Sequence, residues 1–146
     1  MPIPAVLSVV VRDGRLLLVR RANPPDRGRW VFPGGRIEAG EEVVAAALRE
    51  LHEETGVIAD GGTVLTVLDS IHRDETGVLT HHFVLVAVLC RWVSGEGRAA
   101  DDALEAAWLA PEEIAALHEK ASRNAAWLAD LAVARSACCD RVGRPA

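Results

Sequence analysis

The stretch from Gly35 to Val57 constrains this chain more than any other. It carries Gly35, then Glu41, then Arg49-Glu50-Leu51-His52-Glu53-Glu54-Thr55-Gly56-Val57. Taken as a helix from Glu42 to Thr55, at about 100° per residue, it places Glu50, Glu53 and Glu54 in one arc roughly 100° wide. Val44, Ala47, Leu48 and Leu51 form the adjacent stripe, fit to face a core. Three carboxylates therefore border one buried face. They lie in the last turns, where the helix dipole favours cations. Like charges at these spacings repel, and Arg49 and His52 are the only nearby positive side chains. A helix selected for stability alone does not look like this, and local rules broken without compensation mark functional sites. Hard divalent cations such as Mg²⁺ take carboxylate oxygens and would lift the repulsion.

The flanks agree. Phe32-Pro33-Gly34-Gly35 lets the backbone turn and approach a ligand closely. Glu41 and Glu42 suit the positive end of the helix dipole, and Gly56 suits the left-handed position that ends a helix.

Position for position, this stretch resembles the signature of the Nudix hydrolase family, G-x5-E-x7-R-E-U-x-E-E-x-G-U with U aliphatic. Every fixed position is filled, with Leu51 and Val57 at aliphatic sites. The resemblance implies an α/β fold, the Nudix α/β/α sandwich with a mixed β-sheet between helices. It implies Mg²⁺, with Mn²⁺ as a substitute, held by Glu50, Glu53 and Glu54 with the Gly35 carbonyl. Arg49 would orient a box glutamate, and Glu41 would brace the loop–helix junction. Glu54 or Glu105 would be the base. Glu105 stands at a common family offset before Trp108 and is also a candidate metal ligand, with Glu96, Asp101 and Asp102 as rivals.

The rest of the chain sets the frame. Its 146 residues are half hydrophobic, which suits one folded domain over 1–146 with a loose tail from about 138. The net charge is −5 and there is no basic run, which argues against a nucleic-acid polymer as partner. No apolar run reaches membrane-spanning length, and no signal peptide is recognisable. Cys90, Cys138 and Cys139 make neither a disulfide framework nor a zinc site, so a reducing cytoplasm is expected.

In chain order, Ala5–Val11 and Leu16–Val19 read as a hairpin closed by Asp13-Gly14, both strands apolar enough to be covered on two faces. Arg20 and Arg21 follow as phosphate clamps or as a solvated strand end. A loop over 22–29 leads to Trp30-Val31-Phe32, where Trp30 is either core or a base-stacking residue. Strands are expected over Thr63–Ser70, Leu79–Trp92 and Ala103–Ala110, with His81 and His82 at a strand edge. Helices should start at Pro111 and after Ser122, the second burying Trp127, Leu128, Leu131 and Ala134.

Among Nudix substrates, residues 58–110 lack a proline and the chain lacks tyrosine. The family markers for ADP-ribose and for dinucleoside polyphosphates are thus both missing. The expectation is hydrolysis of a diphosphate linkage in a small nucleoside diphosphate derivative, such as a (d)NTP or ADP-ribose. The alternatives are a non-hydrolytic nucleotide sensor and, lower, an isomerase requiring a site cysteine. Family members are often dimers, so a homodimer is open.

Overall fold

The computed structural model describes residues 1–143. Seven strands form one sheet: β1 (Ile3–Arg12), β2 (Arg15–Arg21), β3 (Trp30–Val31), β4 (Gly34–Arg36), β5 (Ile58–Arg73), β6 (Leu79–Ser94) and β7 (Ala103–Leu109). The helices are α1 (Val43–Thr55), α2 (Pro111–Ala115) and α3 (Ala125–Gly143), with a 3-10 turn at His118–Lys120. Strand β1 is the hub. It pairs in parallel with β6 from Ile3↔Phe83 to Val11↔Arg91. Its other edge pairs antiparallel with β4 near its start and β2 near its end. One parallel pair among antiparallel ones makes the sheet mixed.

Alternation along the central strands builds two cores. Val6, Val10, Leu17, Val88 and Cys90 face Ala46, Ala47 and Leu51 of α1. Val9, Leu16, Leu18 and Ala87 face the other way, onto Ile114, Ala125, Leu128, Ala129 and Ala132 of α2 and α3. Successive strand side chains point to opposite faces, so covering both faces demands nearly continuous apolar strands. The expected α/β/α layering is what forms. The β1–β2 turn has positive φ at Asp13 and Gly14, as a tight hairpin requires.

Three expectations need correction. The buried stripe of α3 runs through Ala125, Leu128, Ala129 and Ala132, and Trp127 is about half exposed. Alanines let α3 lie close to the sheet, and that rotates the bulky indole outward. The strand expected from Thr63 begins earlier, at Ile58, so Gly61-Gly62 lies inside β5, at a register shift between Asp60 and Thr63. A Cβ at Gly62 would crowd Val44 of α1 and Val88 of β6, so the glycine admits the helix there. Finally, α3 continues to Gly143, so residues 138–143 are helical rather than a loose tail, and 144–146 lie outside the described residues. Among the described residues, no helix is long and apolar enough to cross a membrane.

Candidate active site

Helix α1 is fixed before its carboxylates are. The buried Ser8 hydroxyl on β1 donates to the Ala47 carbonyl at 2.6 Å, clamping the helix to the sheet. At the far end Gly56 adopts φ 74° and donates to the His52 carbonyl. The Thr55 hydroxyl donates to Leu51 and accepts from the Val57 N–H. The loop before β7 is tied to the same end, through Arg98 N–H to Thr55 and Ala100 N–H to Glu54.

On this helix Arg49 is a hub. Its guanidinium grips Glu41 with two bonds of 2.7 and 2.9 Å, reaches Glu50 at 2.9 Å and Glu53 at 3.2 Å, and caps the Arg36 carbonyl. The fork matches carboxylate geometry, which a lysine could not reproduce. It holds the Glu41 carboxyl down at about 2, by hydrogen bonding above all.

Glu54 turns away from this network. Its Oε2 accepts the Gly34 N–H at 2.9 Å. Burial pushes its carboxyl up to about 7; the Gly34 bond and the Arg21 charge oppose that, while Glu50 and Asp101 add to it. Burial also raises Glu50, against the pull of Arg49. Gly35 lies directly over Glu50, where a Cβ would collide with its carboxylate. So the glycine turn brings main chain against two partly desolvated carboxylates.

These groups open onto one cavity of about 560 Å³. Gly34, Gly35, Arg36, Glu50, Glu54 and Arg21 are among the residues that line it. Of Arg20 and Arg21 on β2, only Arg21 lines it, and its Nε also bonds the Pro25 carbonyl at 2.7 Å. Arg20 does not line it. It pairs at 2.7 Å with Glu105, opposite it on β7, and Glu105 is likewise off the cavity. The acids from that region nearest the site are instead Asp102, on the cavity wall, and Asp101, whose charge acts on Glu54. Glu96 pairs with Arg12, whose guanidinium lies over Trp92. Trp30 packs against the core beside α3 and does not line the cavity. Arg36 does line it, and sequence reasoning does not find it. The only signal is its place one step beyond the paired glycines.

The ligands expected from the sequence are all oxygen donors, carboxylates plus a main-chain carbonyl, which is the chemistry a hard divalent cation takes. Among the described residues no three His, Cys, Asp or Glu side chains converge on one point. The reason is visible: Arg49 holds Glu50 and Glu53, and Gly34 holds Glu54.

Fold and site together define an α/β/α domain with a carboxylate helix and a glycine turn at the mouth of a cleft. The comparisons with known proteins place it. A NUDIX domain model matches residues 1–131. An ADP-ribose pyrophosphatase of Methanocaldococcus jannaschii is 38% identical over 105 residues, 72% of this chain and 60% of that protein. A putative 8-oxo-dGTP diphosphatase 2 of Mycobacterium tuberculosis is 35% identical over 131 residues, 87% of this chain and 86% of that one. The crystal structure of a MutT NUDIX hydrolase from Burkholderia pseudomallei superposes with a TM-score of 0.68 at 34% identity, covering 77% of this chain and 86% of that one. The chain belongs to the Nudix family. The match to the Methanocaldococcus protein spans only three-fifths of that protein's length.

Proposed function

We propose that this chain is a Mg²⁺-dependent hydrolase, with Mn²⁺ as a substitute, of the diphosphate linkage in a nucleoside diphosphate derivative such as a (d)NTP or ADP-ribose. The observation that carries the reading is the desolvated Glu54 carboxyl, bonded to Gly34 and facing the same cavity as Glu50 and Gly35. Relatives named for pyrophosphatase and diphosphatase activity support it. Glu50, Glu53, Glu54 and the Gly35 carbonyl would hold the cation. When bound, it supplies charge neutralisation for the diphosphate and a more acidic water.

The chain's own groups do the rest. Glu54, the buried carboxyl that accepts the Gly34 N–H and faces the cavity, takes the proton of the attacking water. Arg49 keeps Glu50 and Glu53 in orientation. Arg21 and Arg36 on the cavity wall receive phosphate oxygens. The paired glycines let the bridge come close to main chain. In this reading the protein works in the cytoplasm on a small nucleotide, not on a nucleic-acid polymer, as a monomer or a homodimer.

The test is a hydrolysis panel with Mg²⁺. It covers dNTPs, oxidised dNTPs, ADP-ribose, NADH, diadenosine polyphosphates and nucleotide sugars, with products identified. Turnover of at least one diphosphate-bridged nucleotide, abolished by a chelator, is expected. A blank panel from a protein that still binds one of these nucleotides would replace the hydrolase with a sensor.

A further inference from the structure

The cavity has a second end that diphosphate chemistry does not use. Its wall there is the β5–β6 hairpin, where Ser70↔Phe83 and His72↔His81 are cross-strand pairs. Residues directly opposite share a face, so these side chains all point into the cleft. The His81 and Phe83 rings lie nearly parallel, 15° apart in plane with centroids 6.0 Å apart. The His72 ring meets His81 edge-on at 6.1 Å and shares a 3.0 Å hydrogen bond with Ser70. His82, on the other face, approaches Asp69 instead.

Other aromatic side chains are accounted for. Trp30 is packed into the core, and Phe32 is buried. Trp92 and Trp108 surround Arg12, and Trp127 faces outward. Phe83 belongs to neither core cluster, although it is one of only two phenylalanines in the chain. A half-buried aromatic face packed against no core and open to a cleft is arranged to receive a flat ring.

Spacing supports this. Gly35 pairs with Val6 of β1, and Val6 pairs with Val86 of β6. Two strand spacings across and three residues along put the Phe83 backbone about 14 Å from that of Gly35. A nucleoside carrying a diphosphate reaches across it, with its charged end at Glu50 and Glu54 and its flat end at the hairpin.

We propose that His81 and Phe83, braced by His72, form the platform on which the substrate's nucleobase stacks. The inference rests on the diphosphate reading above and deepens it: the substrate is a nucleotide whose planar heteroaromatic base lies at the opposite end of the cleft from the carboxylates. Stacking is tolerant of base identity, so the platform sets the class of substrate, and polar neighbours choose within it.

The test is binding of α,β-methylene-ADP and of methylenediphosphonate, its base-free counterpart, to the full chain with Mg²⁺ by calorimetry. Phe83→Ala and His81→Ala should each weaken the nucleotide analogue roughly tenfold, the scale of one lost stacking contact. Methylenediphosphonate binding should stay within about twofold of wild type, since its contacts lie at the other end. Phe83→Leu keeps apolar volume without a π face and should also lose the nucleotide preference. Trp30→Leu should leave the ratio of the two affinities unchanged. Unaltered nucleotide binding in Phe83→Ala and His81→Ala, or an equal loss for both compounds, would overturn the platform alone. If neither compound binds the wild-type protein, the diphosphate reading falls and takes the platform with it.

Discussion

Glu54 shows in one residue what the site costs the fold. Its ordinary carboxyl value of 4.5 rises to about 7 on burial. Between those values the folded state holds a proton that the unfolded state has lost. Stability attributable to this group is therefore full below about pH 4.5 and is lost as pH rises through about 7. In chelator, Glu54→Gln should match wild type near pH 4 and exceed it at pH 8 by roughly 1–3 kcal/mol, because a tenfold change in proton affinity is worth about 1.36 kcal/mol. Paired thermal melts at the two pH values read this directly, and a variant no more stable at pH 8 would remove the desolvation argument. Mg²⁺ should raise the wild-type midpoint more than the variant's. The same substitution should cut turnover by about two orders of magnitude or more at saturating Mg²⁺, the usual scale for a proton-transfer group. Arg49 offers the complementary case. Arg49→Lys keeps the charge but loses the fork that grips Glu41 while reaching Glu50 and Glu53. Turnover should fall about 10–100-fold, as when the groups orienting metal ligands are lost, with the circular dichroism spectrum unchanged. Wild-type kcat in Arg49→Lys would leave Arg49 with no orienting role.

At the scale of elements, the two neighbouring glycines of β4 should behave differently. A Cβ at Gly34 would strike the Val6 carbonyl within the β1–β4 ladder, where backbone must shift. The atoms nearest a Cβ at Gly35 belong to the carboxylate of Glu50, the far end of a flexible side chain. Gly34→Ala should thus lower the melting temperature markedly, while Gly35→Ala should melt near wild type and lose turnover about 100-fold through displaced Glu50. Equal effects on melting would contradict this division of labour. The contrast also shows how far the sequence could be read. Box residues are local: Arg49, Glu50, Glu53 and Glu54 follow from helical spacing, and Gly56 from chain chemistry at a helix end, so α1 was legible almost to the residue. What was not legible depended on tertiary contact. Gly61-Gly62 looks like a strand boundary unless one knows that Val44 packs there. Glu105 looks like a site acid until β7 pairs with β2 and hands it to Arg20. Trp127 looks like core until the small alanines beside it bring α3 too close for an indole.

The molecule as a whole is unevenly held. Strands β1 and β2 are sandwiched between two cores, with Val6, Val9, Val10 and Leu16 to Leu18 fully buried. The β5–β6 hairpin starts within that sandwich, at Ala87, Val88 and Cys90, and then runs out past it. Beyond Val86, towards the hairpin turn, β6 holds no fully buried residue, and Val67 and Ile71 of β5 are about half exposed. Ladder hydrogen bonds persist there, but little apolar burial backs them, and such segments open at a lower free energy than the core. That outer half carries Ser70, His72, His81 and Phe83, the cavity wall opposite the carboxylates. On the proposed reading, a firmly held carboxylate end and a more compliant hairpin end suit a cleft that positions a water tightly yet admits a base. Native-state hydrogen exchange should find the amides of 69–73 and 79–84 exchanging at least about tenfold faster than those of Val6–Val10, since fewer buried contacts oppose opening. Addition of α,β-methylene-ADP with Mg²⁺ should slow the hairpin amides and leave β1 nearly unchanged. Uniform protection in the free protein would show that the hairpin is as firmly held as the sandwich. Slowing confined to α1 and β4 would place all of the ligand's grip at the phosphate end.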